Sequence, residues 1–340
     1  MPGELWARNC APICGRDCSN GRTWLRNRSL QQTIVSVTSC ASAQAALARR
    51  ASAAEVMNSR EIKSILAFVV IAYAISWAIW LTGILSIDGL TSLEDERFSG
   101  FLLAGSFGPS AAALVIAGFT GGRSSIISLL KRLILIRVNW RVYVVTVFLM
   151  PVIGLALYLV LGISAKIALW KIATTMIALV PVNSLLGGII FGQGPTGEEM
   201  GWRGFLQSHL QGRLSSVTTA IIVGLVWAFW HLPVFSFADF RNGLDWSQFV
   251  VLYPISTILI AFIMGHLWRW SNGSLFIAIV FHAVLNTTAV NLTRDNWWKF
   301  GDLTAVQIYL IILAIFALTA CATELLSRIV FRQSAPESSQ

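Results

Sequence analysis

Charge is what this sequence has least of. Only 12% of its 340 residues are Asp, Glu, Lys or Arg, roughly half the share of an ordinary soluble domain. Hydrophobic residues make up 56% and the mean hydropathy is +0.69. A chain so poor in polar residues cannot clothe a globule in water, so the soluble enzyme and soluble binding-module classes are excluded. Histidine is scarce as well, with His209, His231, His266 and His282 making up the full set of four. There are five cysteines, and Cys10, Cys14, Cys18 and Cys40 fall within the first 56 residues. No His accompanies them and their spacing is not CxxC, which argues against a metal site there. No HExxH occurs anywhere, so the sequence does not demand zinc. The net charge of +9 would suit nucleic acid, but no basic stripe with interleaved aromatics is present. The Lys and Arg collect beside apolar runs, as topological anchors do.

What is abundant is long apolar runs. Stretches of about 20 residues, enough to cross roughly 30 Å of hydrocarbon, fall at 64–87, 100–119, 142–164, 174–193, 214–233, 248–268, 274–292 and 304–325. They predict an all-α, polytopic transmembrane helical bundle with about eight spans, in a bacterial plasma membrane, with membrane lipids as its surroundings. The basic residues beside the span ends favour an N terminus on the inner side, where the thiols would stay reduced. The 14 Trp suit interfacial belts. Residues 1–56, Arg-rich and lacking apolar runs, read as a disordered or non-native extension, with Met57-Asn58-Ser59-Arg60-Glu61 as the natural start. A transit peptide is the alternative reading. The bundle then covers 57–330, and 331–340 reads as a disordered, Ser-rich tail. Within 123–141, apolar residues alternate with Lys131, Arg132 and Arg137 in the manner of a helix lying along the inner interface.

Gly192-Gln193-Gly194-Pro195-Thr196-Gly197 is a literal GxGxxG. It is rejected as a dinucleotide fingerprint because the preceding run has the length of a span rather than a strand. No acid follows at the required distance either, since Val217 and Thr218 stand there. Instead Gly187, Gly188, Gly192, Gly194, Pro195 and Gly197 are expected to break the helix just before Glu198, or to serve close helix packing. Nearly every other acid past position 56 sits in a loop or beside a span end, so Glu198 and Glu199 stand apart. An ionisable residue at membrane depth is costly and usually functional. The two point about 100° apart on a helix. Glu199 and Arg203, spaced i, i+4, can pair as a structural brace, which leaves Glu198 free. His209 and His266, near span ends, read as interfacial.

Three polar groupings fall in order on successive hydrophobic segments: Glu198-Glu199-x-x-x-Arg203, Trp227-x-x-x-His231 and His282-x-x-x-Asn286. The set resembles the three motifs of the CAAX-processing and bacteriocin-processing (CPBP) intramembrane protease family, which includes type II CAAX prenyl endopeptidases and proteins described as abortive-infection or bacteriocin-immunity factors. The likeness covers about 175–292, and Trp227 stands where the family's second motif commonly has Phe. The resemblance implies that Glu198 and His231 activate a water, that His282 and Asn286 stabilise an oxyanion, and that Glu199 and Arg203 support the site. The expected activity is intramembrane hydrolysis of a membrane-associated or lipid-modified polypeptide, with no cofactor favoured. A metalloprotease version, with Glu198, His231 and His282 as three zinc ligands, stays open. So do a proton-coupled transporter using the Glu and His cluster, and a non-catalytic bacteriocin-immunity protein.

A plain count of crossings would place Glu198 and His231 at opposite ends of neighbouring spans. They can share a water only if 197–212 is a helix dipping into the bilayer and turning at Gly212-Arg213, which would put positions 213 and 240 on opposite sides of the membrane.

Overall fold

The computed structural model describes residues 58–161, 169–188, 194–293 and 303–330. The extension expected at 1–56, the tail at 331–340 and the glycine-rich stretch 189–193 lie outside the described residues. Among those described, every regular element is helical and none is a strand. The chain forms α1 (Ser59–Ser86), α2 (Glu96–Ser106), α3 (Gly108–Lys131), α4 (Trp140–Leu161), α5 (169–188), α6 (195–211), α7 (Ser216–Trp230), α8 (Trp246–Trp270), α9 (Leu275–Thr293) and α10 (Ala305–Ile329). Six stretches are long and apolar enough to cross a membrane: α1, α2 with α3, α4, α8, α9 and α10. α5 and α7 are shorter apolar helices. Each of the eight expected apolar runs therefore contains a helix, and this is an integral multi-pass membrane protein.

Polar residues at the ends of the runs set the helix starts. Asn58 and Glu61 form a reciprocal capping box, with bonds of 2.9 and 3.1 Å, at the point where the sequence predicts the ordered chain to begin. Asp245 with Gln248 and Thr304 with Gln307 do the same for α8 and α10. Each box satisfies amide donors that would otherwise be orphaned in the first turn. The outer face is apolar, with Leu85 82% and Phe119 85% exposed, which water would penalise and lipid does not. At Gly122 the backbone leaves helical geometry (φ 62°, ψ −154°). The expected interfacial segment thus starts as a separate helical piece, 123–131, followed by the single turn Arg132–Ile134.

Two packing arrangements hold the functional region. α6 lies against the junction of α2 and α3. There a Cβ on Gly197 would come within 2.7 Å of the Ser106 carbonyl oxygen, and one on Gly201 within 2.6 Å of Pro109 backbone atoms. This is the small-xxx-small contact that lets membrane helices approach backbone to backbone. α7 packs on α8, where Thr257 donates a 3.1 Å bond to the Gly224 carbonyl. The helix start expected just before Glu198 is present, with α6 beginning after Gly194, whose φ of 103° suits glycine alone. Gly187 and Gly188 belong to α5, which widens from i→i+4 to i→i+5 bonding over Ser184–Gly188.

Candidate active site

Glu198 sits in the first turn of α6, the end of a helix where amide groups favour negative charge. Its side chain is not free, as expected from the sequence, but doubly bound. Oε2 accepts from the Trp227 indole at 2.7 Å and from the Trp202 indole at 3.2 Å. Trp202 lies one helical turn on, while Trp227 comes from α7. Oε1 faces Gly194, where a Cβ would stand 2.2 Å away. Glycine at 194 therefore serves both the backbone turn and the space around the carboxylate.

Glu199 points to the other side. Its Oε1 accepts from Arg203 at 2.9 Å and from His282 Nδ1 at 2.7 Å, and all three side chains are buried. The predicted i, i+4 brace is thus part of a triad that ties α6 to α9. Charge-assisted bonds of this kind contribute more than neutral ones, about 1.5–3 kcal/mol each. Arg203 also stacks its guanidinium 4.7 Å from the centroid of the Trp227 ring, a favourable contact away from water.

His231 stands at the end of α7, where the chain turns into the Pro-containing single turn Leu232–Ser236. Its Nδ1 lies 2.8 Å from the Trp227 carbonyl oxygen and 3.3 Å from the Tyr253 hydroxyl. A carbonyl can only accept, so Nδ1 carries the proton and the neutral ring keeps its lone pair on Nε2. Trp230, Phe240 and Tyr253 enclose the imidazole at centroid distances of 4.7 to 5.7 Å. Glu198, His231, His282 and Asn286 all line one cavity of about 780 Å³, whose remaining wall is mostly apolar and comes from α1, α2, α4, α7, α8, α9, α10 and adjoining loops. That volume falls in the usual range for a ligand site.

Among the described residues no group of three or more His, Cys, Asp and Glu is placed to hold a metal ion. Glu198 Oε2 accepts from two indole donors, and Nδ1 of each histidine is bonded to a carbonyl or a carboxylate.

The other two histidines lie elsewhere. His209 bonds the Phe205 carbonyl within its own helix at 2.7 Å. His266, expected at the interface without polar company, is fully buried and pairs with Glu324 of α10 at 3.2 Å, beside Arg269. In the sequence Trp227 stands out only as the aromatic four residues before His231, and Trp202 and Tyr253 do not stand out. The i, i+4 spacing of Glu198 and Trp202 was available as a signal, but Tyr253 carried none.

Fold and site together define a polytopic α-helical membrane protein whose membrane-embedded acid and histidine residues meet at the edge of an apolar cavity. Over residues 176–288 the chain matches the family model described as Type II CAAX prenyl endopeptidase Rce1-like. The match contains every residue of the cluster. The chain is 30% identical over 109 residues to CAAX prenyl protease 2 of Methanococcus maripaludis, covering 30% of this chain and 39% of the relative. It is 29% identical over 111 residues to lysostaphin resistance protein A of Staphylococcus haemolyticus (32% and 27%), and 27% identical over 141 residues to the protein of that name in Staphylococcus epidermidis (41% and 34%). The chain thus spans well under half the length of these relatives.

Proposed function

We propose that the chain is an intramembrane endopeptidase that hydrolyses a peptide bond of a membrane-associated or lipid-modified polypeptide. The observation that carries this reading is the convergence of Glu198, His231, His282 and Asn286, from three segments, on one largely apolar cavity. The Rce1-like match over the same residues supports it, as does the protease named among the relatives.

The chemistry follows from the contacts. Both indole bonds to Glu198 fall on Oε2, so Oε1 is the oxygen left for a water. Glu198 with the Nε2 lone pair of His231 takes a proton from that water. The resulting oxygen nucleophile bonds to the carbonyl carbon, and the π electrons move onto the carbonyl oxygen. His282 Nε2 and the Asn286 amide donate to that oxyanion. Donation from Nε2 requires an imidazolium, whose charge the Glu199 carboxylate at Nδ1 offsets. Collapse breaks the C–N bond, and the proton taken from the water passes to the departing amine. Glu199 and Arg203 hold His282 and α6 in place. No step uses a metal. Treatment with a strong chelator is expected to leave cleavage intact, and complete loss restored by zinc would overturn this.

The direct test compares membrane peptides from cells carrying the intact chain and its Glu198→Ala form. Loss of one positioned general base costs about 10²–10⁴ in rate, so cleavage products should vanish while the protein stays in the membrane. Unchanged products and unchanged cellular phenotype in Glu198→Ala would point to a non-catalytic immunity protein.

A further inference from the structure

One residue, Trp227, contacts Glu198, Arg203, His282 and His231. Trp227 Nε1 donates to Glu198 Oε2 at 2.7 Å, and the face of the same ring takes the Arg203 guanidinium at 4.7 Å. His282 meets the ring edge-to-face, with centroids 5.2 Å apart and an interplanar angle of 79°. The backbone carbonyl of Trp227 accepts from His231 Nδ1 at 2.8 Å. The residue thus links α6, α7 and α9 at a single point. Indole alone among side chains offers a ring N–H donor in the plane of an extended π face that attracts a cation. Phenylalanine has the face without the donor.

We infer that Trp227 is a positioning residue for hydrolysis, beyond its part in the cavity wall. Its N–H fixes the rotamer of Glu198 so that Oε2 is taken and Oε1 is turned toward Gly194 and the cavity. Its π face keeps Arg203 beside Glu199, so that the guanidinium cannot swing across to neutralise the working carboxylate. Trp202 supplies the second, longer N–H to the same oxygen and shares the first task but not the second. The inference rests on the peptidase reading of the site.

The test uses the full chain in lipid nanodiscs, with ¹⁵N-labelled tryptophan to resolve the indole N–H resonances. Trp227→Phe and Trp202→Phe identify their own signals by deletion. In Glu198→Gln the Trp227 indole proton should move upfield, because an amide oxygen is a weaker acceptor than a carboxylate. An unmoved signal overturns the inference, and this arm does not depend on any substrate. The kinetic arm uses an internally quenched farnesylated peptide as probe. Trp227→Phe is expected to lower kcat about tenfold to hundredfold, the loss expected for a bond to a charged group, with KM changed less than about twofold. A cavity-wall role alone would raise KM and leave kcat in place, and that result overturns the inference. If Trp227→Phe does not fold, Trp202→Phe assigns by elimination: an indole signal that shifts in Glu198→Gln and survives in Trp202→Phe belongs to Trp227, and the absence of such a signal overturns the inference. A wild-type chain that leaves the probe uncut while the indole signal moves would sink the peptidase reading and leave the Trp227–Glu198 clamp standing.

Discussion

The Glu198 carboxylate is confined by the backbone at the start of its own helix. Gly194 and Glu198 share one turn, with the Glu198 amide bonded to the Gly194 carbonyl at 2.8 Å and Oε1 occupying the space a Cβ would fill. Gly194→Ala therefore meets two penalties, the positive φ and the clash, and both are relieved only by moving Glu198. Turnover should fall at least about tenfold, since small misplacements of a reacting group are costly, and retention of full activity would refute the placement of Oε1. Arg203 presents a different case. Removing one partner of a fully buried ion pair strands the other and costs about 3–5 kcal/mol. Arg203→Met should accordingly lower the thermal midpoint in detergent far more than Trp202→Phe does. At this scale the sequence revealed which side chains are exceptional, because acids and histidines are so rare in apolar runs. It did not reveal their partners, because the Trp227–Glu198 and His282–Glu199 bonds span 29 and 83 positions. No periodicity encodes such contacts.

Among the elements, α6 is the one that makes a site out of a bundle. It is too short and too polar to be a span, and the apolar-run count passes over it. Depth matching of Glu198 and His231 nevertheless calls for a dipping helix at 197–212, and a helix, α6, covers 195–211 ahead of α7. Its seat against α2 and α3 depends on Gly197 and Gly201, so Gly201→Leu should unseat it through Pro109. Near-complete loss of cleavage is expected, together with protease sensitivity near Gly212. The widened turn at Ser184–Gly188 has a physical lesson: such a turn can carry glycines within a helix, and sequence signals for that are weak. Helix starts were more legible, since capping residues act locally. Asp245 is held below the ordinary carboxylate range chiefly by the Gln248 amide and then by the Ser247 hydroxyl. A lowered folded-state value means that the cap contributes fully above the ordinary carboxylate pKa and is lost as pH falls through the lowered one. The hydrogen-exchange protection factors of amides 247–249 should therefore fall at acid pH more than those in the middle of α8. Asp245→Asn, which keeps the cap acceptor without the charge, should remove the difference.

For the whole molecule, the hairpin decides which side of the membrane the site faces. Eight plain crossings and a bundle with α6 inserted predict different sides for everything after residue 193, and the basic residues near the span ends do not discriminate, because Arg203 is buried in the site rather than anchored at an interface. A hairpin of α6 and α7 that descends and returns puts Gly212 at the turn and Ala238 in the loop after α7 on opposite faces. Both positions are exposed, and a Cβ at 212 meets nothing within 4 Å. With the native cysteines replaced, Gly212→Cys and Ala238→Cys should react with a membrane-impermeant maleimide from opposite sides of sealed vesicles. The same sidedness for both would remove the hairpin, and with it the shared depth of Glu198 and His231 on which a common water depends.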